Sequence, residues 1–200
     1  PMIYYAIATL WAHESIDRVV VVLAEDDVEW DDYGWSEFVS KLQILRCGGA
    51  TRAHTVLNAL DALDKDLDAG DWVLVHDAAR PCLDGGDLAA MIETLAADSV
   101  GGLLAVPLAD TLKRGDEDNR SEATVPRAAL WRAQTPQMFR YGLLRAALQQ
   151  HIGDQPTDEA SVIERCGLRP RLIPGSARNI KVTYPADLAI AELFIRDRQA

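Results

Sequence analysis

The sequence contains no apolar run approaching the roughly 20 residues that a bilayer-spanning helix needs, which argues against a helical membrane protein. Cysteine is scarce. Cys47, Cys82 and Cys166 are odd in number and lack metal-ligand spacing, so they fit free thiols in a reducing, cytoplasmic setting. Basic residues are outnumbered, 20 Lys and Arg against 31 Asp and Glu, for a formal charge of −11. That balance argues against a nucleic-acid binder, which normally presents a basic face. A nucleotide substrate is not excluded, because a few local cations suffice. No G-x-G-x-x-G and no Walker-type G-x-x-x-x-G-K-[ST] occurs, so a nicotinamide oxidoreductase is a poor reading. There are no internal repeats and no low-complexity tracts.

What is present is 200 residues of ordinary globular composition, enough for a single domain burying about 70% of its unfolded surface. Strand and helix patterns alternate, which predicts an α/β fold with a mostly parallel sheet. Helices are expected over 2–13, with Ile3, Ile7, Leu10 and Trp11 on one face, and over 51–64, with Thr51 as N-cap. Others are expected at 84–97, 139–150, 158–166 and 186–197, the last with Pro185 near its first position. Strands are expected at 18–24, 42–46, 71–76, 101–107, 130–133, 171–174 and 179–182. Residues 25–40 read as an acidic, Trp-rich loop leading into a short helix. Residues 110–128 are polar and carry no core pattern; a stretch of that kind is usually functional or disordered.

One segment concentrates chemistry. Trp72-Val73-Leu74-Val75 runs straight into His76-Asp77-Ala78-Ala79-Arg80-Pro81. The apolar run predicts a strand buried on both faces. Ligands of open α/β sheets bind beyond the carboxyl ends of such strands, so Asp77 and Arg80 stand where a nucleotide, metal or phosphate is expected. A capped strand end with a local Asp–Arg pair fits the same residues. Lys181, amid apolar neighbours, fits either an edge-strand lysine or a functional cation. Arg127 by itself reads as a solvated loop arginine, and His76 as packed or hydrogen-bonded rather than catalytic.

Six words occur in order: Gly48-Gly49-Ala50-Thr51-Arg52, His76-Asp77-Ala78-Ala79-Arg80-Pro81, Asp110-Thr111-Leu112-Lys113, Gln134-Thr135-Pro136-Gln137, Thr157-Asp158-Glu159-Ala160-Ser161 and Asn179-Ile180-Lys181-Val182-Thr183. Together they resemble the 2-C-methyl-D-erythritol 4-phosphate cytidylyltransferase family of the non-mevalonate isoprenoid pathway, across essentially the whole chain. The resemblance implies a doubly wound, mostly parallel, Rossmann-like nucleotidyltransferase sheet with helices on both faces. It also implies that residues 110–128 form an arm reaching across to a second subunit of a homodimer.

Cytidylyl transfer brings two anions together, so the site must offer cations and N–H donors, usually with Mg²⁺ bridging the phosphates. By resemblance, Lys181 and Arg127 orient the attacking phosphate, a task suited to a forked guanidinium. Arg80, Thr111, Thr135 and Thr157 supply donors to phosphate and hydroxyls. Gly48 and Gly49 let backbone approach the cytosine, with Arg52, Thr55, Asp77 and Ala78 also on the nucleotide. Asp77 is also a substrate-binding candidate and the candidate metal ligand. The substrates implied are CTP and a polyol phosphate.

The family opens with a strand and a Gly-rich loop carrying Arg and Lys for the triphosphate. No such loop occurs here, and Pro1-Met2-Ile3-Tyr4-Tyr5 resembles the helix that follows it. The expectation is that a strand and loop precede Pro1, and that residues 1–200 alone are inactive. Two other readings stay open: ribitol-5-phosphate cytidylyltransferase, separable by turnover with each polyol, and a non-catalytic nucleotide-binding protein, separable by CTP binding without turnover.

Overall fold

The computed structural model describes residues 1–199. Helix α1 (Ile3–Trp11) leads to strand β1 (Val19–Leu23), then β2 (Leu42–Arg46), α2 (Arg52–Ala62), β3 (Trp72–Val75) and α3 (Gly85–Leu95). Strand β4 (Gly101–Pro107) is followed by β5 (Leu112–Gly115), β6 (Ser121–Val125) and β7 (Trp131–Arg140). The chain closes with α4 (Tyr141–His151), α5 (Glu159–Arg165), β8 (Arg171–Pro174) and α6 (Pro185–Gln199).

Local chemistry sets several boundaries. Thr51 caps α2, its hydroxyl accepting from the His54 N–H. Asp84 caps α3 by accepting from the Gly86 and Asp87 N–H groups. Asp158 caps α5 in a capping box with Ser161. The acidic 25–40 stretch folds as two short 3₁₀ turns, Trp30–Asp32 and Ser36–Phe38. Trp30 and Trp35 stack there with centroids 4.1 Å apart.

The main sheet runs β3-β7-β4-β8. Strand β7 is antiparallel to both β3 and β4, whereas β4 and β8 are parallel, so three of these strands share one direction. Successive residues point to opposite faces. Leu103 and Phe139 enter one core with α2, α4 and α5. Leu104 and Met138 enter another with α3 and Ile173. Helices therefore cover both faces.

Strands β1 and β2 form a separate parallel pair. Among the described residues, β1 and β3 each have one edge with no strand partner. Between them lies a cavity of about 1020 Å³, lined by Val19–Val22, by Trp72–Val75 and by residues of α1 and α2.

Three expectations need correction. Strand β3 is half-buried along its length rather than buried on both faces, because it borders the gap. The strand expected over 130–133 continues to Arg140, absorbing Gln134 to Gln137 and the start of the expected helix at 139. Flanked on both sides, it gains ladder bonds by continuing. Residues 179–182 form no strand. Their polar groups bond instead to the loop after β3: the Val182 N–H donates to the Ala79 carbonyl at 2.8 Å.

Residues 112–125 form an antiparallel hairpin, β5 against β6, that among the described residues pairs with no other strand. Nearly all of it is exposed.

The open edges predict uneven hydrogen exchange. Amides of β1 and β3 should exchange much faster than those of β4, which is paired on both sides. Exchange monitored by mass spectrometry or NMR, with equal protection in β3 and β4, would contradict an open gap.

Candidate active site

The cavity lining continues past the carboxyl end of β3 to Arg52, Asp77, Ala78 and Lys181. Asp77 is the hub. Its Oδ1 accepts from Arg52 Nε at 2.9 Å, and its Oδ2 pairs with Lys181 Nζ at 3.2 Å and lies 3.7 Å from Arg80 Nε. Burial alone would raise the Asp77 pKa, but Arg52 and Lys181 outweigh it and hold the carboxyl below its usual value. Three cations thus surround one carboxylate inside a protein of net charge −11.

Arg52 lies in the first turn of α2, and its far edge is also occupied. Nη1 and Nη2 donate to the two Glu159 oxygens at 2.6 and 3.0 Å. Glu159 is 1% exposed. Burial works against the Arg52 charge, yet the two carboxylates hold its pKa above the ordinary guanidinium value. Burial pushes Glu159 upward, with Arg52 pulling the other way. The two-point fork is the geometry of an ionised pair.

Arg80 is largely committed to the chain itself. It donates to the Asn179 carbonyl at 2.7 Å and the Ala133 carbonyl at 3.4 Å, and burial lowers its pKa. Its buried Nε has no hydrogen-bond partner. Asn179, fully buried, donates to the Thr135 carbonyl at 2.9 Å. Together these bonds fix the backbone from which Lys181 projects, half-exposed, towards Asp77.

Thr135 is buried, and its hydroxyl is taken. It accepts from the Asp77 N–H at 3.0 Å and lies 3.0 Å from His76 Nδ1. His76 Nε2 lies 3.1 Å from the Arg80 carbonyl. A carbonyl only accepts, so Nε2 carries the proton and Nδ1 accepts from Thr135. Burial lowers the His76 pKa to about 4, leaving a neutral, packed ring.

The glycines serve their own chain. The Gly48 N–H donates to the Leu23 carbonyl at 2.8 Å. A Cβ on Gly49 would lie 2.5 Å from the His54 Cβ, so only glycine lets this loop close on α2. Thr55 completes the turn, accepting from the Gly49 N–H at 3.0 Å and donating to the Thr51 carbonyl at 3.1 Å.

Thr111 and Arg127 stand at the base of the arm, exposed. The Arg127 side chain has no ion-pair partner among the described residues. Thr157 is exposed just outside α5. The structure thus brings Arg52, Asp77, Arg80, Thr135 and Lys181 together, and leaves Thr111, Arg127 and Thr157 outside that contact network.

The expectations overlooked Glu159 and Asn179. Both lie within quoted words, but a Glu in the first turn of a helix ordinarily serves the helix dipole, so nothing in the sequence marked it as buried. Among the described residues no group of three or more His, Cys, Asp or Glu could hold a metal. Any Mg²⁺ here would have to be carried chiefly by a nucleotide's phosphates, with Asp77 the nearest carboxylate at the hub.

The 2-C-methyl-D-erythritol 4-phosphate cytidylyltransferase family model matches residues 1–197. The chain belongs to this family. Relatives bearing that name include one from Nitrosospira multiformis, 57% identical over 98% of this chain and 86% of its own length. Another, from Dechloromonas aromatica, is 56% identical over 100% and 86%. A crystal structure described as 4-diphosphocytidyl-2C-methyl-D-erythritol synthase superposes with a TM-score of 0.89 at 42% identity, covering 97% of this chain and 90% of that one. The Francisella tularensis cytidylyltransferase gives 0.82 at 31%, covering 96% and 87%. The fold is therefore the family's nucleotidyltransferase fold.

The buried imidazole carries a pH signature. His76 binds a proton in the unfolded chain below about 6.5 but in the folded protein only near 4. Unfolded chains thus hold more protons in that window, and the folded state loses up to roughly 3 kcal/mol as pH falls through it. NMR should show a His76 ring that does not titrate between pH 8 and 5, and His76→Asn should flatten part of the acid loss of stability.

Proposed function

We propose that this protein is a cytidylyltransferase that joins CTP and 2-C-methyl-D-erythritol 4-phosphate, giving 4-diphosphocytidyl-2-C-methyl-D-erythritol and pyrophosphate. The observation that carries this reading is the Asp77 hub at the carboxyl end of β3, with Arg52, Arg80 and Lys181 around it, in a chain of this family. An oxygen of the polyol phosphate attacks the α-phosphorus of CTP. The bond to the bridging oxygen of the β-phosphate breaks, and pyrophosphate leaves. Little covalent chemistry falls to the protein, so its task is positioning and charge compensation.

Lys181 is anchored at Asp77 yet half-exposed, which suits an ammonium that meets an incoming phosphate. Arg127 is assigned to the same phosphate. Its side chain is free and stands at the base of an arm without a partner strand. The arm supports a two-fold homodimer in which each hairpin reaches the other subunit, since cyclic dimers are the commonest closed assembly. Mg²⁺ entering with CTP belongs to the same reading. Asp77 would hold it, and the ion would offset phosphate charge.

Lys181→Ala and Arg127→Ala should each lower kcat/KM for the polyol phosphate about a hundredfold, roughly 3 kcal/mol. The urea midpoint should barely move, because both side chains are exposed. Near-full kcat/KM in Lys181→Ala would overturn the assignment. Ribitol 5-phosphate should be the poorer substrate.

Assembly is checked separately by sedimentation. A dimer is expected at micromolar concentration, with deletion of the hairpin giving an inactive monomer. A fully active monomer would exclude the shared site.

A further inference from the structure

Glu159 has no role in the chemistry described so far, yet its carboxylate is buried at the start of α5. Burying a carboxylate is costly, and an apolar side chain would pack there more cheaply. Among the described residues its only side-chain partner is Arg52, whose Nη1 and Nη2 it takes at 2.6 and 3.0 Å.

The consequence lies one bond further on. With its outer edge occupied, Arg52 has Nε for Asp77, and it uses only Oδ1, at 2.9 Å. Asp77 Oδ2 is left to Lys181 at 3.2 Å. Freed of Glu159, the guanidinium would turn its fork to both Asp77 oxygens, the arrangement a carboxylate favours. Lys181 would then lose its anchor. We propose that Glu159 is a positioning residue for Lys181: by occupying the Arg52 fork, it keeps one Asp77 oxygen for the Lys181 ammonium, which is thereby held facing the substrate phosphate. This rests on the assignment of Lys181 to the polyol phosphate.

A merely structural Glu159 would tie α5 to α2 and leave Lys181 alone, so the test reads Lys181 directly. Reductive ¹³C-methylation labels Lys41, Lys65, Lys113 and Lys181 without removing their charge, and Lys181→Arg assigns the Lys181 signal. In Glu159→Gln the Lys181 resonance should move, while those of Lys41, Lys65 and Lys113 stay. Binding of 2-C-methyl-D-erythritol 4-phosphate should weaken about tenfold, the scale of one charge-assisted contact. In a Lys181→Ala background the same substitution should change binding less than about twofold, since coupled residues are not additive.

Removing Arg52 as well supplies the rescue. In Arg52→Met/Glu159→Leu no Arg52 fork competes for Asp77, and Arg80 stays at 3.7 Å from Oδ2 as in the wild type, so the Lys181 signal should return towards its wild-type position. That double variant also removes both buried charges together, which is often neutral for stability, and it serves if Glu159→Gln does not fold. An unmoved Lys181 signal in Glu159→Gln, equal binding losses in both backgrounds, or a displaced signal in the double variant would each overturn the proposal. Loss of the cytidylyltransferase reading would show instead as no turnover of CTP with the polyol phosphate, independently of the lysine signal.

Discussion

One carboxylate holds the site together. Asp77 sits where β3 ends, and its two oxygens bind cations from opposite ends of the sequence: Arg52 at the start of α2 and Lys181 before α6. Three backbone segments far apart in the chain are thereby pinned to one point. The carboxylate stays ionised because the cations outweigh its burial, and the cations stay close because the carboxylate offsets their repulsion. Each sign offsets part of the desolvation or repulsion that the other would suffer alone.

Around the hub, the neutral hydrogen bonds serve to hold it still. Thr135 accepts the Asp77 N–H, His76 is locked between Thr135 and the Arg80 carbonyl, and Arg80 and Asn179 bind the neighbouring backbone. None of these groups needs to touch a substrate to matter. A rigid second layer keeps the exposed ammonium of Lys181 at a defined place, which is how a polar site avoids reorganising when charge arrives. Thr135 supports Asp77, and Arg80 supports the backbone that carries Lys181.

The arm and the gap have a common physical character. Each presents unpaired surface: the hairpin pairs with no other strand, and β1 and β3 border the same cavity with open edges. Unpaired N–H and C=O groups cost about 1–3 kcal/mol each when buried without water, so such edges are stable only when solvated or filled. The gap opens onto Arg52 and Lys181, and Arg127 stands at the base of the arm.

Much of this was legible in the residues. Apolar periodicity placed most helices and strands within a few positions, because the 3.6 and 2.0 repeats follow from backbone geometry. Thr51 as a cap and Asp77 beyond a strand end were readable for the same reason, as local consequences of local chemistry. Tertiary structure alone decided the rest. Nothing local distinguishes Glu159 from an ordinary first-turn acid, since its burial depends on Arg52, which is 107 positions away. Residues 179–182 read as a strand but lie outside any ladder, because their bonds go to the loop after β3. Strand β7 ran past its expected end because two neighbours, unseen in its own sequence, offered partners on both sides. A local pattern determines what a segment can become; which side chain loses its water, and to whom, is settled only when distant segments meet.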